Sequence, residues 1–182
     1  MNEYLAEDAE RDMRANVTQT YLVWYEGRLV GYFSLLADSI RLQFKERPKD
    51  VHYPSAPALK LARLAVCASQ VRQGIGEALL DYVVGIGRNI AGSVGCRYIT
   101  LDSHVDKVQW YMKYKFVANK GERQAQKVIR KYVQNQEEPP ENLSMRYDIF
   151  KQTEIGVAEE FDEALPLGPI LKEKGKKRSK KD

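Results

Sequence analysis

Two cysteines, Cys67 and Cys96, and two histidines, His52 and His104, are the whole stock of thiol and imidazole metal ligands in 182 residues. They stand at distant positions that match no ligand spacing, so no metal is expected. Both cysteines fall in apolar stretches that read as buried strands, where free thiols rather than a disulfide are the default. No apolar run approaches the roughly 20 residues of a membrane span. The charged opening MNEYLAEDAERD lacks the features of a signal peptide, so a cytoplasmic location without membrane attachment is expected. A G-x-S-x-G elbow is missing, which argues against a serine hydrolase. So are both common phosphate loops: neither Lys nor Ser follows Gly76, and Gly74 and Gly76 are followed by Leu79 rather than by a third glycine.

What remains is an ordinary globular composition, 43% hydrophobic and 30% charged, with a length that suits one domain. The net charge of +4 is unevenly spread. Residues 154–163 carry five acids and no base, and residues 172–182 carry seven bases and two acids. The chain therefore divides into a folded domain over residues 1–153 and an acidic, then lysine-rich tail over residues 154–182. A tail of this kind is expected to be solvated and disordered.

The most informative stretch is residues 63–80, RLAVCASQVRQGIGEALL. Residues 64–67 are apolar and non-periodic, as in a buried strand. Gly74 and Gly76 then mark a sharp turn, and Leu79, Leu80, Val83, Val84 and Ile90 follow near helical spacing. A strand, a glycine turn and a helix start converge backbone N–H groups and place the positive end of a helix dipole at the turn. That arrangement suits a phosphate or pyrophosphate.

Around it the pattern gives a helix over residues 5–14, strands over 20–25 and 29–36 joined at Glu26-Gly27, and an irregular crossing over 38–57 marked by Pro48, Pro54 and Pro57. A strand over 59–67, a helix over 77–93, a strand over 97–103 and a helix over 106–114 follow. Gly85 and Gly87 inside the long helix read as close helix-on-sheet packing. Ala125, Val128, Ile129, Tyr132 and Val133 share one face of a further helix, and residues 142–150 form the last strand.

Residues 15–150, and residues 58–117 most strongly, resemble the GNAT superfamily of acetyl-CoA-dependent N-acetyltransferases. The family's pyrophosphate motif is [QR]-x-x-G-x-[GA], and its later helix follows A-x-x-F-Y-x-x-x-G-F; here QWYMKYKF supplies Trp110, Tyr111 and Phe116 in register. Val71 replaces the preferred Gln or Arg, and Lys115 stands where the family has glycine, so it must accept an unusual backbone angle or shift the turn. YPSAPALKLARLAV is most similar to the acetyltransferase-type toxins of bacterial toxin–antitoxin pairs, with their P-A-x-x-L-x-R-L-A-V approach. The resemblance implies an α/β (α+β) domain with a mixed, mostly antiparallel sheet, flanking helices and splayed central strands. It makes residues 121–140 an insertion and a candidate for the substrate-side wall, since the family's opening elements are only partly visible here.

It further implies that the backbone of Val71, Arg72, Gln73, Gly74, Ile75, Gly76 and Glu77 holds the pyrophosphate of acetyl-CoA. Main-chain groups at Leu64, Ala65 and Val66 would hold the pantetheine arm. Tyr111 becomes the proton donor to the leaving thiolate, a role its phenol suits because a pKa of about 10 lies near that of a thiol. The base stays open among Glu26, Asp102 and His104. Lys60, Arg63, Arg72, Lys107, Lys113 and Lys115 could form a basic surface, Arg63 and Lys113 foremost, if the acceptor is the α-amine of aminoacyl-tRNA. A small amine or a protein N-terminus is the enzymatic alternative, and a non-catalytic coenzyme A- or partner-binding module the alternative of another class. An antitoxin protein and a homodimer are further partners that the sequence leaves open.

Overall fold

The computed structural model describes residues 2–70, 74–134 and 142–151. Val71, Arg72, Gln73 and the charged tail therefore lie outside the described residues. A six-stranded sheet runs in the order β1-β2-β3-β4-β6-β5. All its pairings are antiparallel except β3 with β4.

The chain opens with α1 (Asn2–Glu7) and α2 (Ala9–Arg14), interrupted at Asp8 where one helix over 5–14 was expected. Asn16, with φ 54°, ends α2. Its N–H reaches Met13 and the Val17 N–H reaches Asp12, so two orphan carbonyls are satisfied. β1 (Gln19–Tyr25) turns into β2 (Arg28–Arg41) through Glu26 and Gly27 at φ 48° and 73°, the two positive angles that a type I′ hairpin needs.

β2 is longer than the sequence reading allowed, and β3 (Ser55–Val66) begins earlier. The expected irregular crossing over residues 38–57 contracts to residues 42–54. The polar residues Asp38 and Ser39 looked like breakers, yet Ile40 between them and the turn is buried against Ala56, Ala58 and Tyr98. Pro57 is tolerated because the Leu42 N–H to Pro54 C=O bond sets the phase that turns its missing N–H away from β2.

α3 (Ile75–Val94) lays Leu79, Leu80 and Val83 on one face of the sheet. A Cβ on Gly87 would come within 2.7 Å of Ile99, which is the close packing expected of it, whereas Gly85 faces open space. β4 (Tyr98–His104) leads through a 3-10 turn (Val105–Lys107) into α4 (Val108–Lys113). The two-residue β5 (Val117–Ala118), too short to carry a sequence signal, precedes α5 (Glu122–Gln134) and β6 (Asn142–Asp148).

The main core lies between the sheet and α3, α4 and α5, around Phe33, Ile99, Met145 and Val108. α5 joins it through Ala125, Val128 and Ile129, so the insertion thickens the α3 face. The opposite face is covered in two separate places. Tyr4 and Ala9 of the first helices pack on Tyr32 and Ala65. The 42–54 loop packs through Leu42 and Val51, and Arg97 pins its Asp50 at 2.6 Å and Asp148 at 3.0 Å.

Candidate active site

β3 and β4 pair only at Ala58↔Tyr98, Leu59↔Ile99 and Lys60↔Thr100, after which both strands continue unpaired with each other. This is the splay that the resemblance implied. A bulge in β3 at Ala62 coincides with it: Ser34 pairs with Arg63, but Leu35 pairs with Leu61. One extra residue reverses the alternation of every side chain beyond it. Leu59 and Leu61 face α3 before the bulge, and Leu64 and Val66 face it afterwards. Arg63 and Ala65 are thrown to the other face, where the Arg63 guanidinium stacks 3.9 Å from the centre of the Tyr4 ring.

The same count decides where the backbone points. The Cys67 N–H bonds to the Val30 C=O at 2.8 Å in register with the Tyr32↔Ala65 and Ser34↔Arg63 pairs. Ala65 and Arg63 therefore direct their main-chain groups at β2. Those of Leu64 and Val66 point the other way, into the gap between β3 and β4.

The gap leads toward the start of α3. Ala78 makes the first intrahelical bond, 3.0 Å to the Gly74 carbonyl, so the N–H groups of Ile75, Gly76 and Glu77 have no acceptor within the helix. Gly74 caps this end at φ 79°, an angle that favours glycine, with nothing within 4 Å of where a Cβ would stand. Gly76 carries a packing constraint that its motif did not suggest. A Cβ there would sit 3.3 Å from the Trp110 ring and 3.9 Å from Val66, so this glycine seats an indole.

Trp110 begins an aromatic chain. Its ring lies 4.8 Å from Tyr111 and 5.0 Å from Tyr114; Tyr111 lies 5.6 Å from Phe116, which lies 5.4 Å from Tyr147. The turn after α4 holds these rings in register. The Phe116 N–H returns to the Tyr111 carbonyl at 3.2 Å, and the Lys115 N–H to Met112 at 3.0 Å. Lys115 takes φ 63°, the unusual angle foreseen for a lysine at the family's glycine position. Burial alone pushes the Tyr111 phenol up to about 12, so it stays protonated across the neutral range.

The remaining candidates are dispersed. Lys113 and Lys115 line a cleft of about 140 Å³ with Asp81, Tyr114 and Tyr147 on the α3 side. Burial, and then the neighbouring Glu77, raise the Asp81 carboxyl. Arg63 lies on the other face, so the expected basic surface is not one patch. Lys60 is bonded to Asp102 at 2.7 Å and Lys107 to Asp106 at 2.9 Å. Glu26 occupies the hairpin turn and His104 the exposed end of β4. The Lys60–Asp102 pair and the stacking of Arg63 on Tyr4 had no sequence signal, because each joins residues distant along the chain. Among the described residues no group of His, Cys, Asp and Glu is arranged to hold a metal ion, and no helix is long and apolar enough to cross a membrane.

No curated protein matches this sequence. The fold is similar to that of a tyrosine-to-phenylalanine mutant of KacT, at 22% identity over 81% of each chain with a TM-score of 0.63. It is similar to AtaT complexed with acetyl-methionyl-tRNAfMet, at 18% identity over 85% of this chain and 82% of that one, TM-score 0.63. AtaTR bound with AcCoA matches at 20% identity over 81% and 80%, TM-score 0.59. At such identities the likeness is one of fold. The profile of the acetyltransferase (GNAT) domain matches residues 1–132, most of the chain, and with the splayed strands and the helix start beneath them it makes this protein a member of the GNAT acetyltransferase family.

Proposed function

We propose that the protein transfers the acetyl group of acetyl-CoA to the α-amine of an aminoacyl-tRNA, as a toxin-like member of its family. The observation that carries the acetyl-transfer part is the gap: two alternate residues of β3, Leu64 and Val66, turn unpaired backbone groups into it beside a helix start with three free N–H groups. Such a track fits an extended amide-bearing arm ending in a pyrophosphate. The described part of the turn, Gly74 to Glu77, would take the pyrophosphate, and the Val71, Arg72 and Gln73 backbone is proposed to complete its cradle. A main-chain N–H at Leu64 or Val66 would stabilise the oxyanion.

The acceptor nitrogen attacks the thioester carbonyl, the C–N bond forms and the C–S bond breaks. Tyr111 faces the leaving sulfur as a protonated phenol. At about 12 its proton lies roughly 5 kcal/mol downhill from a free thiolate of pKa about 8.5, so it acts first as a hydrogen-bond donor. Full transfer requires that burial raise the bound thiolate as well. The tRNA reading draws support from AtaT, whose complex holds acetyl-methionyl-tRNAfMet, and from the net charge of +4. AtaT has also been captured with the C-terminus of the antitoxin AtaR, and a comparable partner is proposed here.

Release of the coenzyme A thiol in the presence of charged tRNA tests both parts. Thiol release that falls steeply with added salt is expected, since phosphate contacts would dominate tRNA binding. Robust transfer to a free amine or peptide with flat salt dependence would replace the acceptor and keep the acetyltransferase. Alanine in place of Arg63 and Lys113 should raise the tRNA KM much more than the acetyl-CoA KM.

A further inference from the structure

Resting on this acetyl-transfer reading, the geometry points to Asp102 as the group that holds the acceptor's ammonium at the mouth of the gap, on the sheet face opposite α3. Lys60 and Thr100 are the last paired residues of β3 and β4, and Asp102 is the next β4 residue on their face. Ile99 and Leu101, which alternate with them, belong to the core under α3, so Thr100 and Asp102 face away from it. An acceptor approaching the gap from the side not filled by that core meets Asp102 first.

Thr100 is buried, whereas Lys60 and Asp102 beside it stay partly open. α1 and α2 cover the Tyr32–Ala65 flank of this strip. The 42–54 loop covers the other, with Glu46 reaching Arg146 at 3.5 Å. Between these covers Asp102 keeps 41% of its side-chain surface exposed. Thr100 fixes the neighbouring carboxylate by donating its hydroxyl to Asp38 at 2.6 Å. Asp102 already holds a primary ammonium: the Lys60 Nζ donates to its Oδ2 at 2.7 Å, from a side chain that is itself 31% exposed. Lys60 thus stands in for the incoming ligand, which would share or displace it.

An α-amine with a pKa of about 8 enters mainly as the ammonium at pH 7. Held by Asp102, it loses one proton to water, and the freed lone pair attacks the acetyl carbonyl. The new C–N bond replaces the C–S bond, the sulfur takes a proton from Tyr111 that solvent restores, and the nitrogen gives its surplus proton to solvent and keeps one as the amide N–H. Asp102 is a binding group in this scheme, and the protons pass to solvent rather than to it.

The test compares wild type, Asp102→Asn and Lys60→Met by thiol release, with methioninamide as a cationic acceptor and hydroxylamine as an acceptor uncharged at neutral pH. Asp102→Asn should raise the methioninamide KM by about 10-fold or more, the usual cost of a lost charge-assisted bond. Its kcat, its acetyl-CoA KM and its hydroxylamine KM should hold, and Asp102→Glu should restore part of the loss. Lys60→Met should lower the methioninamide KM, because it removes the competing ammonium. Equal rises from Asp102→Asn and Lys60→Met would mark the pair as a structural brace and overturn the assignment, as would a hydroxylamine KM that rises in parallel. A wild-type protein that releases no thiol with either amine or with charged tRNA would overturn acetyl transfer itself and this inference with it.

Discussion

The two halves of β3 are built from similar residues and do opposite work. From Ser55 to Leu61 the strand is held by β2 along its length and by β4 over three residues, and its polar backbone is spent on the sheet. From Arg63 to Val66 it is held by β2 alone. The difference is one residue, Ala62, and it teaches that a site can be opened in a sheet by miscounting rather than by special chemistry. Hydrophobicity does not separate the halves: Leu59 and Leu61 pack under α3 much as Leu64 and Val66 do.

Removing the miscount is the most damaging way to break this contrast. Deletion of Ala62 would join Leu61 to Arg63 in strict alternation, so every side chain keeps its face and only the kink of the bulge is lost. Without that kink β3 is free to go on pairing with β4, so coenzyme A binding read by calorimetry should be lost while chemical denaturation still shows a cooperative transition. A deletion variant that binds coenzyme A as the wild type does would mean that the bulge does not open the gap.

The next two changes leave the count alone and act on what the open half faces. Tyr111→Phe keeps the rings and should lower turnover by about 10²-fold with coenzyme A binding intact. The phenol at about 12 also predicts no loss of activity from its ionisation below about pH 10. Because its folded value lies above the unfolded one, its contribution to stability is complete below about pH 10 and is lost as pH rises toward 12. Tyr111→Phe should therefore blunt alkaline unfolding; unchanged turnover would reduce the residue to packing. Gly74→Asp sets a carboxylate and a strained positive φ against the same end of the gap. Calorimetry should find coenzyme A bound at least about tenfold more weakly, since a repelled anion and a lost bond to charge each carry 1 kcal/mol or more.

The smallest effect is a gain. Lys115→Gly relieves a left-handed lysine at φ 63° and should stabilise the fold by about 1 kcal/mol in thermal or urea unfolding, with the Tyr111–Phe116 register kept. A loss of stability would show that the lysine stem, which lines the 140 Å³ cleft, is worth more than the strain it carries.

Sequence reading reached whatever local physics determines. The Glu26-Gly27 hairpin, the glycine turn into α3 and the Tyr111 register were visible because each is coded within a few residues. The bulge at Ala62 was not, since an alanine in an apolar run carries no mark of a skipped partner. Residues 38–41 were misread as loop because polar side chains on one face of a strand look like breakers until Ile40 is seen to be buried. Gly76 was legible as a turn glycine, but the packing constraint on it, the Trp110 ring, lies 34 positions away. The ion pair between Lys60 and Asp102 spans 42 positions and could emerge only with the sheet order.

The reversal at Ala62 also sorts the neighbouring side chains by client. Leu64 and Val66 serve the face where the acetyl donor would lie, while Lys60 and Arg63 look out on the face where an acceptor would arrive. Neighbours along one strand are thereby free to drift independently. A lineage could retune what it acetylates by changing positions 60, 63 and 102, without renegotiating its hold on the donor.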